Sequence, residues 1–336
     1  MLRQTSILLV LPLLLAAGLL LNVASVSSAD SPVIQLTIEG AIGPATDDYI
    51  GRALETATRR HAELVVIRMD TPGGLDSAMR GINKNITNSA VPVSSYVSPT
   101  GARAASAGTY ILYASHIAAM APGTNVGAAT PVRIGGGASP GSRGKDKQDE
   151  AAGDNANDAG KQKIINDAVA YLRSLAELRG RNQEWAEKAV READSIAASE
   201  ALQLGVIDIV ASGMADLMKQ IDGREVLIQG QKRILQTAGV VIDQLAPDWR
   251  SRFLSVITNP NVAYILMLIG IYGLMLEFSN PGAIVPGTVG AIALLLALYA
   301  FQLLPINYAG VGLILLGVAL MVGEAFQPSF GVLGIG

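Results

Sequence analysis

Ser106 lies in Gly101-Ala-Arg-Ala-Ala-Ser-Ala-Gly-Thr-Tyr110, where small side chains let a substrate backbone come close. The segment follows an extended apolar run and starts a helical one. The amide of Ala107 would then stand beside the hydroxyl and point at the same space. A second segment, Asp70-Thr-Pro-Gly-Gly74, also follows an apolar run and precedes a helix. Glycines at such a turn expose amide hydrogens near a helix N-terminus. Amides so placed can hold an oxyanion, each donor contributing about 10²–10³ in rate. Alone, the first segment reads more simply as a tightly packed small-residue helix and the second as a plain strand-to-helix turn.

A serine nucleophile needs a base. The chain has only two histidines. His61 sits among Arg59, Arg60 and Glu63 and reads as surface. His116 opens the strand after the serine helix and reads as structural. There is no cysteine, which removes thiolate nucleophiles, thiolate metal sites and disulfides together. No metal or cofactor site is expected. Lysine remains, and it serves as a base when burial lowers its pKa to about 7–8. Lys145 and Lys147 lie in a glycine-rich stretch, and Lys161 and Lys163 where a helical pattern begins. Taken singly, each reads first as a solvated surface charge.

The elements that must position these groups alternate. Residues 33–38, 63–69, 91–97 and 117–121 read as strands, and 46–60, 75–89 and 104–114 as helices. This order predicts an α/β unit with a largely parallel sheet. Residues 133–160 carry seven glycines, mixed charge and no aromatic side chain, and read as a flexible loop. Helices are predicted at 161–179, 183–192 and 199–205, then a strand at 206–210. The last helix and strand contain no catalytic group.

The two ends differ from the middle. Arg3, an apolar run over 7–21 and Ser27-Ser28-Ala29 predict a signal peptide over residues 1–29. Residues 30–230 read as the globular domain. Residues 231–258 read as a linker that includes an amphipathic membrane-surface helix from Trp249 to Ile257. Residues 259–336 read as membrane helices at 261–278, 283–304 and 308–323, with Glu277 the one charge in the first. Glu277-Phe-Ser-Asn-Pro-Gly282 is echoed by Glu324-Ala-Phe-Gln-Pro-Ser-Phe-Gly331. The sequence is expected to be truncated before a further helix. Loops of the tail hold almost no lysine or arginine, so orientation is not legible from them. Net charge is -3 with no basic stripe, which excludes nucleic acid as a partner.

Four segments in order resemble the NfeD family: Met69-Asp-Thr-Pro-Gly-Gly74, 101–110, Met120-Ala-Pro-Gly-Thr-Asn-Val-Gly-Ala128 and Glu200-Ala-Leu-Gln-Leu-Gly-Val-Ile-Asp208. Long members of that family resemble the ClpP and signal-peptide-peptidase-A proteases. The resemblance covers residues 33–211. It implies a ClpP/crotonase-like spiral of ββα units followed by α-helical transmembrane segments. It also implies a Ser-Lys dyad of Ser106 and Lys163, with Lys161 as competitor, and an oxyanion hole from Gly74 or Gly73 and Ala107. The counterpart of the ClpP histidine falls on Ala129. The implied function is a membrane-anchored serine endopeptidase cutting apolar segments of polypeptides, in particular stomatin-like membrane proteins. The protease domain is expected on the extracytoplasmic side of the cytoplasmic membrane, in contact with the lipid bilayer, and self-associated as a homodimer or larger. An OB-like domain after the membrane helices is implied as well. Two rivals share the fold. An acyl-CoA enzyme would use the same oxyanion hole, although the export signal argues against it and only Asp70 offers a nearby carboxylate. The other rival is a catalytically inactive membrane scaffold.

Overall fold

The computed structural model describes residues 31–131, 150–257, 259–279, 284–303 and 317. Its core is one parallel sheet built from β1 (Val33–Glu39), β2 (Leu64–Asp70), β3 (Val93–Val97), β5 (Ile117–Met120), β8 (Ile209–Val210) and β11 (Ile242–Gln244). The order across the sheet is β11-β1-β2-β3-β5-β8, and every pairing is parallel. Parallel sheets are covered on both faces, which is why β2 reads as an almost unbroken apolar run. Successive side chains alternate between the covers. Val65, Ile67 and Met69 join one buried cluster, while Leu64 and Val66 join the other.

Four helices cover the first face: α1 (Pro44–Arg59), α2 (Asp76–Thr87), α3 (Ala107–Ala114) and α4 (Glu150–Arg179). α5 (Gln183–Arg191) and α6 (Ala198–Gln203) complete that layer. The second face is covered by α7 (Met214–Ile221) and by the hairpin of β9 (Glu225–Ile228) and β10 (Gln231–Ile234). A small separate sheet has the order β4-β6-β7, from β4 (Arg103–Ala105), β6 (Asn125–Gly127) and β7 (Ser195–Ala197).

Three expectations need correction. The helix expected over 104–114 is divided, because Arg103–Ala105 pairs with Asn125–Gly127 as a strand and helix begins only after Ser106. The loop expected to run to residue 160 ends earlier, since α4 starts at Glu150. Residues 150–160 are alanine-rich and open on a glutamate, which favours helix and its positive N-terminal end. Residues 132–149, with Lys145 and Lys147, lie outside the described residues. The stretch 231–258 is not a loose linker: β10 pairs with β9, and β11 extends the main sheet beside β1.

Beyond the sheet come α8 (Trp249–Ile257), α9 (Pro260–Ser279) and α10 (Val285–Leu303). Among the described residues one helix is long and apolar enough to cross a membrane, over Asn261–Ser279, with mean hydropathy 1.9. The segment Val285–Phe301 is apolar but shorter. Glu277 at the end of α9 accepts from the amides of Ile284 (3.1 Å) and Gly287 (3.3 Å), so the one acid of this pair caps the N-terminal end of α10. The signal segment, the third apolar segment and the second copy of the repeat lie outside the described residues.

Candidate active site

β2 ends at Asp70, and the chain turns through Thr71, Pro72, Gly73, Gly74 and Leu75 into α2. Two lone parallel bridges hold this turn, Ile42 with Gly74 and Thr71 with Ala104. The Ile42 amide donates to Gly73 O and the Leu75 amide to Ile42 O, both at 2.9 Å. The Thr71 amide donates to Arg103 O at 2.8 Å, and Ala105 returns a bond to Thr71 O at 3.1 Å. A Cβ on Gly74 would stand 2.0 Å from Ile42 O, so the approach of these two strands demands glycine. Asp70 is a tether: its Oδ1 accepts from the Arg103 amide at 3.1 Å, joining the two loops.

Ser106 occupies the joint between β4 and α3. Its backbone sits at φ 51°, ψ −116°. A non-glycine residue there carries about 1–3 kcal/mol of strain. A sharp strand-to-helix turn of this kind thrusts the serine Oγ out of the sheet end. Tertiary bonds hold the turn. The Ser106 amide donates to Gly127 O at 3.0 Å, and the Thr109 hydroxyl reaches Ala104 O at 3.0 Å and Gly127 O at 2.9 Å. Ser106 is half-buried, and its Oγ makes no hydrogen bond among the described residues.

The two turns meet. A Cβ built on Gly73 would lie 2.5 Å from Ser106 Cβ and 3.0 Å from its Oγ. The Gly73 amide is engaged with Thr71 Oγ1 at 3.1 Å. The amides of Gly74 and Ala107 form no hydrogen bond among the described residues. The corner therefore brings together a free hydroxyl, Gly73 and two residues with open amide donors.

α3 is buried along its whole length. At its far end the Arg181 guanidinium donates to the carbonyls of Leu112 (3.3 Å), Tyr113 (2.8 Å) and Ser115 (3.0 Å). The Arg181 side chain is 2% exposed and pairs with Asp208 at 2.7 Å. A cation at the C-terminal end matches the helix dipole, whose positive end is at Ser106. Burial also lowers Arg179 to about 10. His116 is half-buried, and its Nδ1 accepts from the Val93 amide at 3.2 Å. Burial, then the charges of Arg179 and Arg181, push it down to about 3. It is a neutral structural acceptor. Ala129 is buried, its amide bonded to Ala189 O at 2.8 Å.

The lysines stand apart. Lys161 and Lys163 are both exposed on α4, and neither makes a hydrogen bond or ion pair among the described residues. The expected desolvated contact with Ser106 is not formed. What the fold does provide is a firm seat for α4. The Tyr171 ring stacks on Tyr110 with centroids 5.9 Å apart, and Asn83 donates to Tyr171 Oη at 3.1 Å. Arg80 pairs with Asp167 at 2.5 Å and with Asp76 at 2.9 Å. These contacts run in the same direction along α2 and α4. Lys163 shares the face of Asp167. Lys161 instead continues the stripe of Ile165, Ala168 and Leu172.

Sequence reasoning missed the clasp of Thr71, Thr109 and Gly127 that supports the serine. All three residues lay inside segments singled out for other reasons, 69–74, 101–110 and 120–128, but nothing in the sequence showed that they meet.

A parallel sheet with a serine elbow against a glycine turn defines a ClpP-like α/β protease-type domain, here joined to apolar helices. The chain belongs to the NfeD family: residues 32–230 match the NfeD1b N-terminal domain and residues 261–336 the NfeD integral membrane domain. It is 38% identical over 322 residues to the membrane-bound protease PH1510 of Pyrococcus horikoshii, covering 95% of this chain and 69% of that protein. It is 29% identical over 321 residues to the membrane protein NfeD1b of Bacillus subtilis, covering 90% of this chain and 64% of that protein. A solved serine-to-alanine mutant of the 1510-N membrane-bound stomatin-specific protease superposes with TM-score 0.57 and 37% identity, covering 66% of this chain and all of that one. A lysine-to-alanine mutant of the same protease, in complex with a substrate peptide, gives TM-score 0.57 and 35% identity over 68% of this chain and 98% of that one.

Proposed function

We propose that this chain is a membrane-anchored serine endopeptidase with Ser106 as nucleophile and Lys163 as base. The carrying observation is the corner where Gly73 abuts the strained Ser106 elbow, flanked by the two open amides of Gly74 and Ala107. The relatives support a peptide-cutting role, since one is a membrane-bound protease solved as serine and lysine mutants, the latter with a substrate peptide. Lys163 is preferred to Lys161 because it lies one helical turn before Asp167, on the face of α4 that Arg80 holds.

The lysine takes the proton from Ser106 Oγ as the oxygen attacks the peptide carbonyl carbon. The amides of Gly74 and Ala107 stabilise the resulting oxyanion. On collapse the C–N bond breaks, and the leaving amine receives the proton from the lysine. Water then attacks the acyl-enzyme and yields its proton to the same lysine, which returns it to Ser106 Oγ as the acid departs. A lysine base requires desolvation. An apolar substrate segment lying over the exposed residues Lys161 to Lys163 of α4 supplies that. The substrate is the apolar segment of a polypeptide, a stomatin-like membrane protein by analogy with the relative. The working unit is a homodimer or larger, with the domain of residues 30–230 on the extracytoplasmic side of the cytoplasmic membrane.

The test is hydrolysis of apolar fluorogenic peptides by the purified full chain. Ser106→Ala and Lys163→Ala should each lose on the order of 10⁴ in kcat, as expected when members of one catalytic unit are removed. Lys161→Ala should retain activity. Cleavage that survives Ser106→Ala refutes the assignment, and loss in Lys161→Ala alone transfers the base to that residue. A folded but inert parent would instead identify a scaffold.

A further inference from the structure

The segment leaving the catalytic domain is fastened along its length. β11 lies on β1, Arg60 pairs with Asp243 at 2.6 Å, and the Tyr49 hydroxyl donates to Leu245 O. Arg52 of α1 then grips Asp248 with both terminal nitrogens, at 2.7 and 3.0 Å. The same guanidinium meets Asp48 and Ser251, each at 2.6 Å. Asp248 also accepts the Ser251 amide at 2.9 Å, which caps the first turn of α8. One carboxylate thus both starts α8 and bolts it to α1.

Held this way, α8 turns Ser251 inward, buried against the domain. Its other face is apolar and open: Trp249, Phe253 and Val256 are 72%, 50% and 55% exposed. Their spacing puts all three on one stripe. Arg250 and Arg252 flank that stripe, and residues 249–257 include no acid. α8 ends at Ile257, and α9, the membrane-length helix, begins at Pro260. An apolar stripe edged by arginines lies in the membrane interface, with the aromatic rings at headgroup level and the guanidiniums on lipid phosphates. Continuity with α9 brings this face to the bilayer.

We propose that the Trp249–Phe253–Val256 face of α8 seats on the bilayer surface, and that the Arg52–Asp248 clamp transmits this seating to the catalytic domain. Ser106 is thereby carried at one height and tilt above the lipid. A substrate rule follows: the chain cuts polypeptide segments held a set short distance from the membrane, beyond any preference for apolar sequence. The rule rests on the protease reading; the seating does not.

The chain has two tryptophans, and Trp185 is buried in the domain. The difference in emission between the parent and Trp249→Phe therefore reports Trp249 alone. With the full chain in phosphatidylcholine–phosphatidylglycerol vesicles, bromines near the head of the acyl chains should cut that difference signal by about half, and bromines near the chain ends by less. No quenching overturns the seating. So does a signal shielded equally in detergent and vesicles together with crosslinking of Trp249 to a second copy, which would make the face an interface between copies. The clamp is tested with Arg52→Ala on a free peptide and on the same peptide tethered to lipid through spacers of increasing length. Free-peptide cleavage should be unchanged, while the sharp spacer optimum of the parent should broaden. An optimum as sharp as the parent's overturns the clamp. A parent that cuts no peptide defeats the protease reading and leaves the quenching result to decide the seating.

Discussion

Gly73→Ala is the most direct probe of the corner where the two turns meet. The added methyl would lie 2.5 Å from Ser106 Cβ and 3.0 Å from its Oγ. Ordinary carbon contacts begin about 1 Å further out, so the glycine turn and the serine must part by about that amount. A displacement of that size at reacting groups costs about 10² in rate. The backbone adds to it, because Gly73 sits at φ +113°, where a residue with a Cβ is strained. Shifting the turn also moves Gly74, and a lost oxyanion donor costs about 10²–10³ in kcat, or about 2.7–4 kcal/mol of transition-state stabilisation. The expected result is a kcat/KM on apolar peptides lower by about 10²–10³, with about 1–3 kcal/mol of lost stability. Gly205→Ala is the matched control. Gly205 also has positive φ, 68°, but a Cβ there meets nothing within 4 Å. It should lose about 1 kcal/mol of stability through the backbone and keep its activity. Peptide hydrolysis and thermal unfolding of the two purified variants, run side by side, separate the effects. Undiminished kcat/KM in Gly73→Ala would refute the corner as the reacting site. Equal activity loss in both variants would reduce the effect to general destabilisation.

Arg181→Met should cost about 3–5 kcal/mol, because it strips two α3 carbonyls, that of its C-cap Ser115 and a partly buried Asp208 of their shared partner. Denaturant midpoints check this, and adding Asp208→Asn should recover part of the loss. His116 gives a pH signature, since its folded value is about 3 and the unfolded imidazole titrates near about 6.5. Between those values the unfolded chain binds a proton that the native one refuses, so stability falls as pH drops below about 6.5, by at most about 1.4 kcal/mol per unit. His116→Asn keeps an acceptor for the Val93 amide and should flatten that slope; unchanged pH dependence of the unfolding midpoint would refute the burial argument.

Much of the architecture is local and was legible without coordinates. Alternating apolar runs and helical spacing located β1, β2, β3 and β5 and the helices on the first face, because side-chain period reports which face is buried. The glycines of 73–74 and the small residues around Ser106 marked the two turns, since a tight backbone approach restricts residue type. In the nearly uncharged tail, the apolar runs announced the helix over Asn261–Ser279 and the shorter one over Val285–Phe301. Other features depend on groups far apart in the chain. Whether 103–105 is strand or helix was decided by pairing with 125–127, and where α4 begins was hidden inside a glycine-rich stretch. The supposed linker became part of the sheet because β1 had an open edge, and Arg52 found Asp248 196 residues away. Arg181, charged and thus expected outside, is buried because three carbonyls at the end of α3 and the Asp208 carboxylate converge on it. The expected chemistry was read from residue identity. The meeting of Gly73 with Ser106, and the exposure of both lysines, belong to the tertiary structure, because contact between distant segments is set by packing rather than by neighbours along the chain.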